Sequence, residues 1–205
     1  MKGGLTMLKK ITSGIAAGIL VSIGGAVFLS CENRYVGAVL FSVALLCICL
    51  KGYSLFTGRV GYIPEKHDKE AVSALLLGLL GNFIGTLVCG LLARYALPAL
   101  GAAAETACAA RLAQAPMQTF IRALFCGMLM YLAVSTYREK NTLFGILFCI
   151  PVFILCGFEH SIADMFYFAA SGIVSLRAFA FIWIVILGNA AGGMLLPVIA
   201  PAEKK

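Results

Sequence analysis

The chain has 205 residues, 61% hydrophobic and 12% charged, with a formal charge of +7 and a mean hydropathy of +0.99. A water-soluble domain is about one-half apolar and one-quarter charged, so an aqueous single-domain core is excluded and lipid is the solvent for most of the chain. In such a chain the excess of Lys and Arg marks orientation, because basic residues collect in cytoplasmic loops, and it does not point to nucleic acid.

A helix needs about 20 apolar residues to cross the hydrocarbon. Met1–Lys10 carries Lys2, Lys9 and Lys10, and the first apolar stretch follows at 11–30. It is longer than a signal-peptide core, and no small-residue cleavage pattern precedes Cys31, so this first helix is expected to stay in the membrane. Further stretches follow at 36–57, 71–97, 117–137, 142–175 and 178–201, making six expected spans. The fifth is too long for one crossing and holds Glu159, His160 and Asp164 in its middle, which reads as a helix interrupted at membrane depth.

The connections fix an expected orientation. Arg59, Lys66, Lys69, Arg138, Lys140, Lys204 and Lys205 fall on the side of the N-terminal lysines; Arg34, Arg94, Arg111 and Arg177 are spread more thinly on the other. Both termini are therefore expected in the cytoplasm. The organisation predicted is a cytoplasmic segment at 1–10, a six-helix channel domain at 11–201 and a cytoplasmic tail at 202–205. Eight cysteines are present. Cys47, Cys49, Cys89, Cys126, Cys149 and Cys156 sit inside apolar runs, and Cys31 and Cys108 near segment ends. With no CxxC pair and no zinc-like spacing, they read as buried thiols acting as small hydrophobes.

The two halves resemble each other. The third span contains Gly81-Asn82-Phe83-Ile84-Gly85 and the sixth Gly188-Asn189-Ala190-Ala191-Gly192. The second span ends in Leu55-Phe56-Thr57-Gly58, and the fifth contains Gly157-Phe158-Glu159-His160-Ser161. Three helices repeated after an odd number of spans are inverted relative to one another, an arrangement that places a binding site near the midplane between interrupted helices. The direct role assigned to the GNxxG pair is close helix packing.

Ionisable residues within a span are functional candidates by default. His160 exchanges a proton near neutral pH when unperturbed, or else is a structural histidine bonded to backbone. Glu159 points roughly 100° away on a helix and is expected to hold backbone N–H groups freed at the break. Asp164 is expected to cap the second half-helix. Thr57 either bonds the His160 ring across the pseudo-twofold axis or caps its own helix. Arg111 is a vestibule cation that raises local anion concentration or a plain interfacial charge. Arg122 is expected to pair internally or snorkel.

The run Gly157-Phe158-Glu159-His160-Ser161-Ile162-Ala163-Asp164-Met165-Phe166 resembles the GFEHSIANMF run of the formate/nitrite transporter family. The resemblance extends to Leu40–Leu46, to Leu55–Gly58, to both GNxxG motifs and to Arg122–Val134, covering nearly the whole chain from Ile11. It implies an all-α, aquaporin-like protomer with broken second and fifth helices. It further implies a homopentamer with one pore per protomer, in the inner (cytoplasmic) membrane, passing formate, nitrite, hydrosulfide or lactate, often with protons. Carried over, His160 is the central pore histidine, Thr57 its hydroxyl partner, and Phe41, Leu45, Leu55, Phe56 and Phe153 form the constrictions. The vestibule lysine of the family falls on Arg111 and its fourth-helix asparagine on Gly127, leaving one polar pore group missing. Ser54 and Arg59 also depart from the pattern, and the customary amphipathic N-terminal helix is largely absent. The resulting expectation is a channel or proton-coupled carrier for small weak-acid anions, with formate ranked before nitrite, no enzymatic activity and no cofactor. A membrane redox or metal protein is the competing class, which the presence of only two histidines, His67 and His160, disfavours.

Overall fold

The computed structural model describes residues 2–200, with side chains from Thr6 onward; Lys204 and Lys205 lie outside the described residues. Among the described residues nine α-helices follow in order: α1 Lys2–Ser30, α2 Arg34–Lys51, α3 Phe56–Arg59, α4 Lys69–Ala96, α5 Pro98–Leu112, α6 Pro116–Lys140, α7 Phe144–Leu155, α8 Ser161–Ser171 and α9 Leu176–Ile199, with a 3-10 turn at Val60–Tyr62 after α3. No strand occurs among the described residues. Five helices are long and apolar enough to cross a membrane: α1 from Thr6, α2, α4, α6 and α9. The long fifth stretch is divided, as its central charges suggested, into α7 and α8 of 12 and 11 residues. At 1.5 Å per residue each reaches only about half-way across the hydrocarbon.

Local chemistry sets the boundaries. Asn33 Oδ1 accepts from Tyr35 N and Val36 N at 3.0 and 3.2 Å to start α2, and Asp68 Oδ1 accepts from Ala71 N at 2.7 Å to start α4. Pro98 and Pro116 open α5 and α6, where a missing N–H costs nothing. Gly52 ends α2 at φ 69°, and Gly157 follows α7 at φ 70°. These two glycines hold equivalent places in the halves, each turning the chain out of a helix into a break through a backbone conformation that a Cβ disfavours.

The halves are α1, α2/α3, α4 and α6, α7/α8, α9. Within each, the first and last helices pack on each other, α1 on α4 and α6 on α9, while the post-break helix crosses over: α8 lies against α4 and α3 against α6. Both breaks are thereby drawn to the centre. Small residues make the close helix pairs possible. A Cβ at Gly81 would lie 2.8 Å from Gly14 Cα, and one at Gly192 would lie 2.7 Å from the Leu124 carbonyl carbon. In lipid, where apolar burial does not drive helices together, such backbone approach supplies the packing.

Three features differ from, or add to, what the sequence suggested. Residues 98–112, read as part of a connection, form helix α5, which packs on α8 with Leu100, Ala104 and Cys108 inward. Residues 2–10 continue α1 without interruption. Cys108 and Cys126 are buried, but Cys156 is exposed at the end of α7 and the remaining five are partly exposed; all eight are free thiols.

Candidate functional site

Each break leaves backbone groups without helical partners, and each is clamped by one asparagine. Asn82 Oδ1 accepts from Phe56 N at 3.0 Å, while its Nδ2 donates to Gly14 O and Ser54 O, both at 2.8 Å. Asn189 Oδ1 accepts from Ser161 N at 2.8 Å, and its Nδ2 donates to Ala123 O at 2.8 Å and Glu159 O at 2.9 Å. Both side chains are fully buried. Each clamp ties the residues before and after the break to the first helix of its own half. The sequence reading assigned the GNxxG motifs to packing; their glycines do pack, but the asparagine between them is the polar centre of the break. An amide in an apolar span is the signal that could have found it, since such a group must be paired.

The clamps straddle Leu55 in one half and His160 in the other. His160 caps α8: its Nδ1 accepts from Ala163 N at 3.2 Å. That contact uses the Nδ1 lone pair, so the neutral ring carries its proton on Nε2. Nε2 lies 2.8 Å from Thr57 Oγ1, and the ring therefore donates to the threonine. The hydrogen bond anticipated across the pseudo-twofold axis is present, with both residues buried. Phe153 stacks on the imidazole with centroids 5.6 Å apart, and Phe41 meets Phe153 edge-on at 6.1 Å. Phe41, Leu45, Leu55 and Phe56 are all buried around this centre.

Two cavities approach it from opposite ends of α2 and α6. The first, about 570 Å³, is lined by Lys10, Leu45, Leu55, Arg59, Tyr62 and Arg138 among others. The second, about 480 Å³, is lined by Arg34, Arg111, Arg122, Phe153, Glu159 and His160 among others. No residue lines both, so the apolar layer and the His160–Thr57 pair separate them. Cations dominate each side. In the first cavity the Arg138 guanidinium sits 4.0 Å over the Tyr62 ring. In the second, Arg34 donates to the carbonyls of Ile154 and Leu155, both at 3.2 Å.

The charged residues of the second cavity are arranged otherwise than the sequence suggested. Arg111 Nε donates to Glu159 Oε2 at 3.0 Å and to Asp164 Oδ1 at 2.9 Å, and its guanidinium lies 4.8 Å over the Tyr167 ring. Its charge is thus matched locally. Glu159 does not hold freed N–H groups: its carboxylate takes Arg111 and Gln114 Nε2, the latter at 2.6 Å. Asp164 is not the cap; His160 is. Arg122 has no carboxylate within ion-pair reach among the described residues and lines the cavity beside the Gly157 turn. Gly127 lines neither cavity. It packs on α9, where a Cβ would lie 2.8 Å from Gly193 N, so the position has no room for a polar side chain. Among the described residues no group of three or more His, Cys, Asp or Glu has metal-binding geometry.

Comparisons with known proteins bear on the family and the fold. The chain is 28% identical over 186 residues to formate-nitrite transporter 2 of Toxoplasma gondii, covering 80% of this chain and 40% of that protein's length. It is 28% identical over 233 residues to a probable formate transporter of Methanothermobacter thermautotrophicus, covering 94% and 80%. The fold matches that of a pentameric formate channel with formate bound, with a TM-score of 0.79 over 95% of both chains at 21% identity. Residues 1–202 match the sequence profile of the formate/nitrite transporter family, and the chain is a multi-pass membrane protein belonging to that family of channels and transporters.

Proposed function

We propose that this chain passes small monovalent weak-acid anions, formate first and nitrite second, across the cytoplasmic membrane, with proton exchange at the His160 centre. The observation that carries the proposal is the buried Nε2···Oγ1 pair of His160 and Thr57, 2.8 Å apart, set in an apolar layer between two cavities lined with cations. A bare anion loses its water in that layer at a cost of many kcal/mol, whereas a neutral acid loses far less. Arg34 and Arg122, with no carboxylate partners among the described residues, raise the anion concentration in the second cavity, while the charge of Arg111 is taken up by Glu159 and Asp164. The anion reaches Phe153, takes a proton in the region of His160, and crosses Phe41, Leu45, Leu55 and Phe56 as the acid, hydrogen-bonded in passing to Nε2–H and the Thr57 hydroxyl.

In this reading six spans, counting α7 and α8 as one, place both termini and the first cavity in the cytoplasm, in keeping with the Lys/Arg distribution. Residues 11–201 form the channel domain, with 1–10 and 202–205 on the cytoplasmic side. Five copies assemble, each with its own pore, and the lipid bilayer is the solvent. The activity is transport and not enzymatic turnover.

The test is flux in proteoliposomes. Formate added outside wild-type vesicles should enter with a proton, seen as external alkalinisation. Asn at position 160 keeps an oxygen to accept from Ala163 N, and Asn is a favoured N-cap, so His160→Asn should fold and show five copies by native mass spectrometry. It should lose the proton coupling, either by ceasing to conduct or by carrying the anion as a current. Unchanged flux with unchanged coupling would refute the role of His160.

A further inference from the structure

Glu159 and Asp164 are almost fully buried, with 3% and 1% of their side chains exposed, and both converge on one N–H, the Nε of Arg111. The other Glu159 oxygen is satisfied by Gln114. The other Asp164 oxygen, Oδ2, is buried with no hydrogen-bond partner among the described residues. Two carboxylates therefore share one cation. The remaining groups facing them do not correct the balance. Tyr167 of α8 and the buried thiols Cys108 of α5 and Cys126 of α6 bring no positive charge. His160 touches the site through its backbone, its carbonyl accepting from Asp164 N at 2.9 Å. Arg34 of α2 and Arg122 of α6 line the same cavity but lie beyond ion-pair reach of either acid.

An unpaired buried carboxylate is far costlier than a neutral carboxyl, and two carboxylates sharing a site do not both ionise readily. Position 164 also departs from the GFEHSIANMF run this segment resembles: an amide, which needs no proton, is replaced by an acid. We infer that the Glu159–Asp164 pair holds one proton at neutral pH, and that this carboxyl is the proton donor to the weak-acid anion arriving in the second cavity. In the transfer the carboxyl O–H bond breaks and its proton binds an oxygen of the anion, giving the neutral acid. The pair is left as two carboxylates against Arg111 and regains a proton from water at the cavity mouth. His160 does not itself give up this proton, since protonating Nδ1 would break its bond to Ala163 N; it receives the neutral acid at Nε2–H, so acid-coupled entry needs both the carboxyl pair and His160. The donor role rests on the anion-transport reading above; the resident proton does not.

Infrared spectroscopy of the full chain in lipid at pH 7 tests the proton directly. Wild type should show the carbonyl stretch of a protonated carboxyl, moving on hydrogen–deuterium exchange. The band should vanish in Asp164→Asn and in Glu159→Gln, each of which leaves one carboxylate matched to Arg111. A wild type without the band, or a band that persists in both variants, overturns the resident proton. In proteoliposomes Asp164→Asn should lose acid-coupled formate entry, and retained coupling in a variant lacking the band overturns the donor role. Absence of formate flux in every protein, wild type included, would overturn the donor role together with the transport reading, while the infrared result would still decide where the proton is.

Discussion

Replacing Asn189 by Ala removes the three hydrogen bonds that hold the break between α7 and α8, and leaves Ser161 N, Ala123 O and Glu159 O without those partners. Side-chain hydrogen bonds within membrane proteins average about 0.6 kcal/mol each, which for three bonds gives roughly 2 kcal/mol. Counting each orphaned buried group at about 1–3 kcal/mol gives roughly 3–9. The unfolded chain in lipid also finds partners for these groups, so the expected loss lies toward the lower end, about 3 kcal/mol. Asn82→Ala breaks the matching set at Phe56, Ser54 and Gly14. Asn82, Ser54 and Phe56 are likewise buried, so that substitution should cost about as much. Asn189→Asp keeps an acceptor for Ser161 N but faces Ala123 O and Glu159 O with oxygen, and should be worse than Ala. Reversible unfolding in mixed detergent micelles measures all three. Asn189→Ala within about 0.5 kcal/mol of wild type, the range of an inert surface change, would refute the clamp.

Gly192→Ala should destabilise by about 1–3 kcal/mol through overpacking of α9 on the Leu124 backbone, whereas Gly52→Ala, with open space around the added carbon and only a left-handed backbone to oppose it, should cost about 1–2; thermal unfolding in detergent separates the two. Thr57→Val should lower formate flux while leaving His160 in the Nε2–H tautomer, because Ala163 N still holds Nδ1. Nitrogen NMR of the imidazole reads that directly, and a ring protonated on Nδ1 would contradict the capping geometry.

What the sequence discloses here follows from which interactions are local. The long apolar runs of α1, α4 and α9 are legible because hydropathy acts residue by residue, and the fifth break is legible because Glu159, His160 and Asp164 cannot all face lipid. Helix α5 is not: its alanines carry a weak apolar signal, Glu105 and Arg111 interrupt it, and its inward face is defined mainly by α8. The partners of Arg111 lie 48 and 53 residues away, so nothing near it in sequence distinguishes a cation free in a vestibule from one held between two acids. Gly127 misleads for the same reason, since only the approach of α9 reveals that no side chain fits there. The His160–Thr57 contact, 103 residues apart, was foreseeable because the repeat supplies the missing geometry: two breaks drawn to one axis must meet.

Both asparagine clamps read nothing but main chain: the N–H after the break and the carbonyl before it. The residue straddled between these contacts contributes no side-chain atom to the clamp. A half can therefore change that residue without touching the clamp, and the two halves of this protein differ there, with leucine at 55 and, at 160, a histidine that also caps α8. Architecture and chemistry are uncoupled at the two straddled positions. One repeat can remain a greasy wall while the other acquires a polar centre, and a change of permeant can act on 55, or on 160 with any residue that still caps α8, without first having to rebuild the fold.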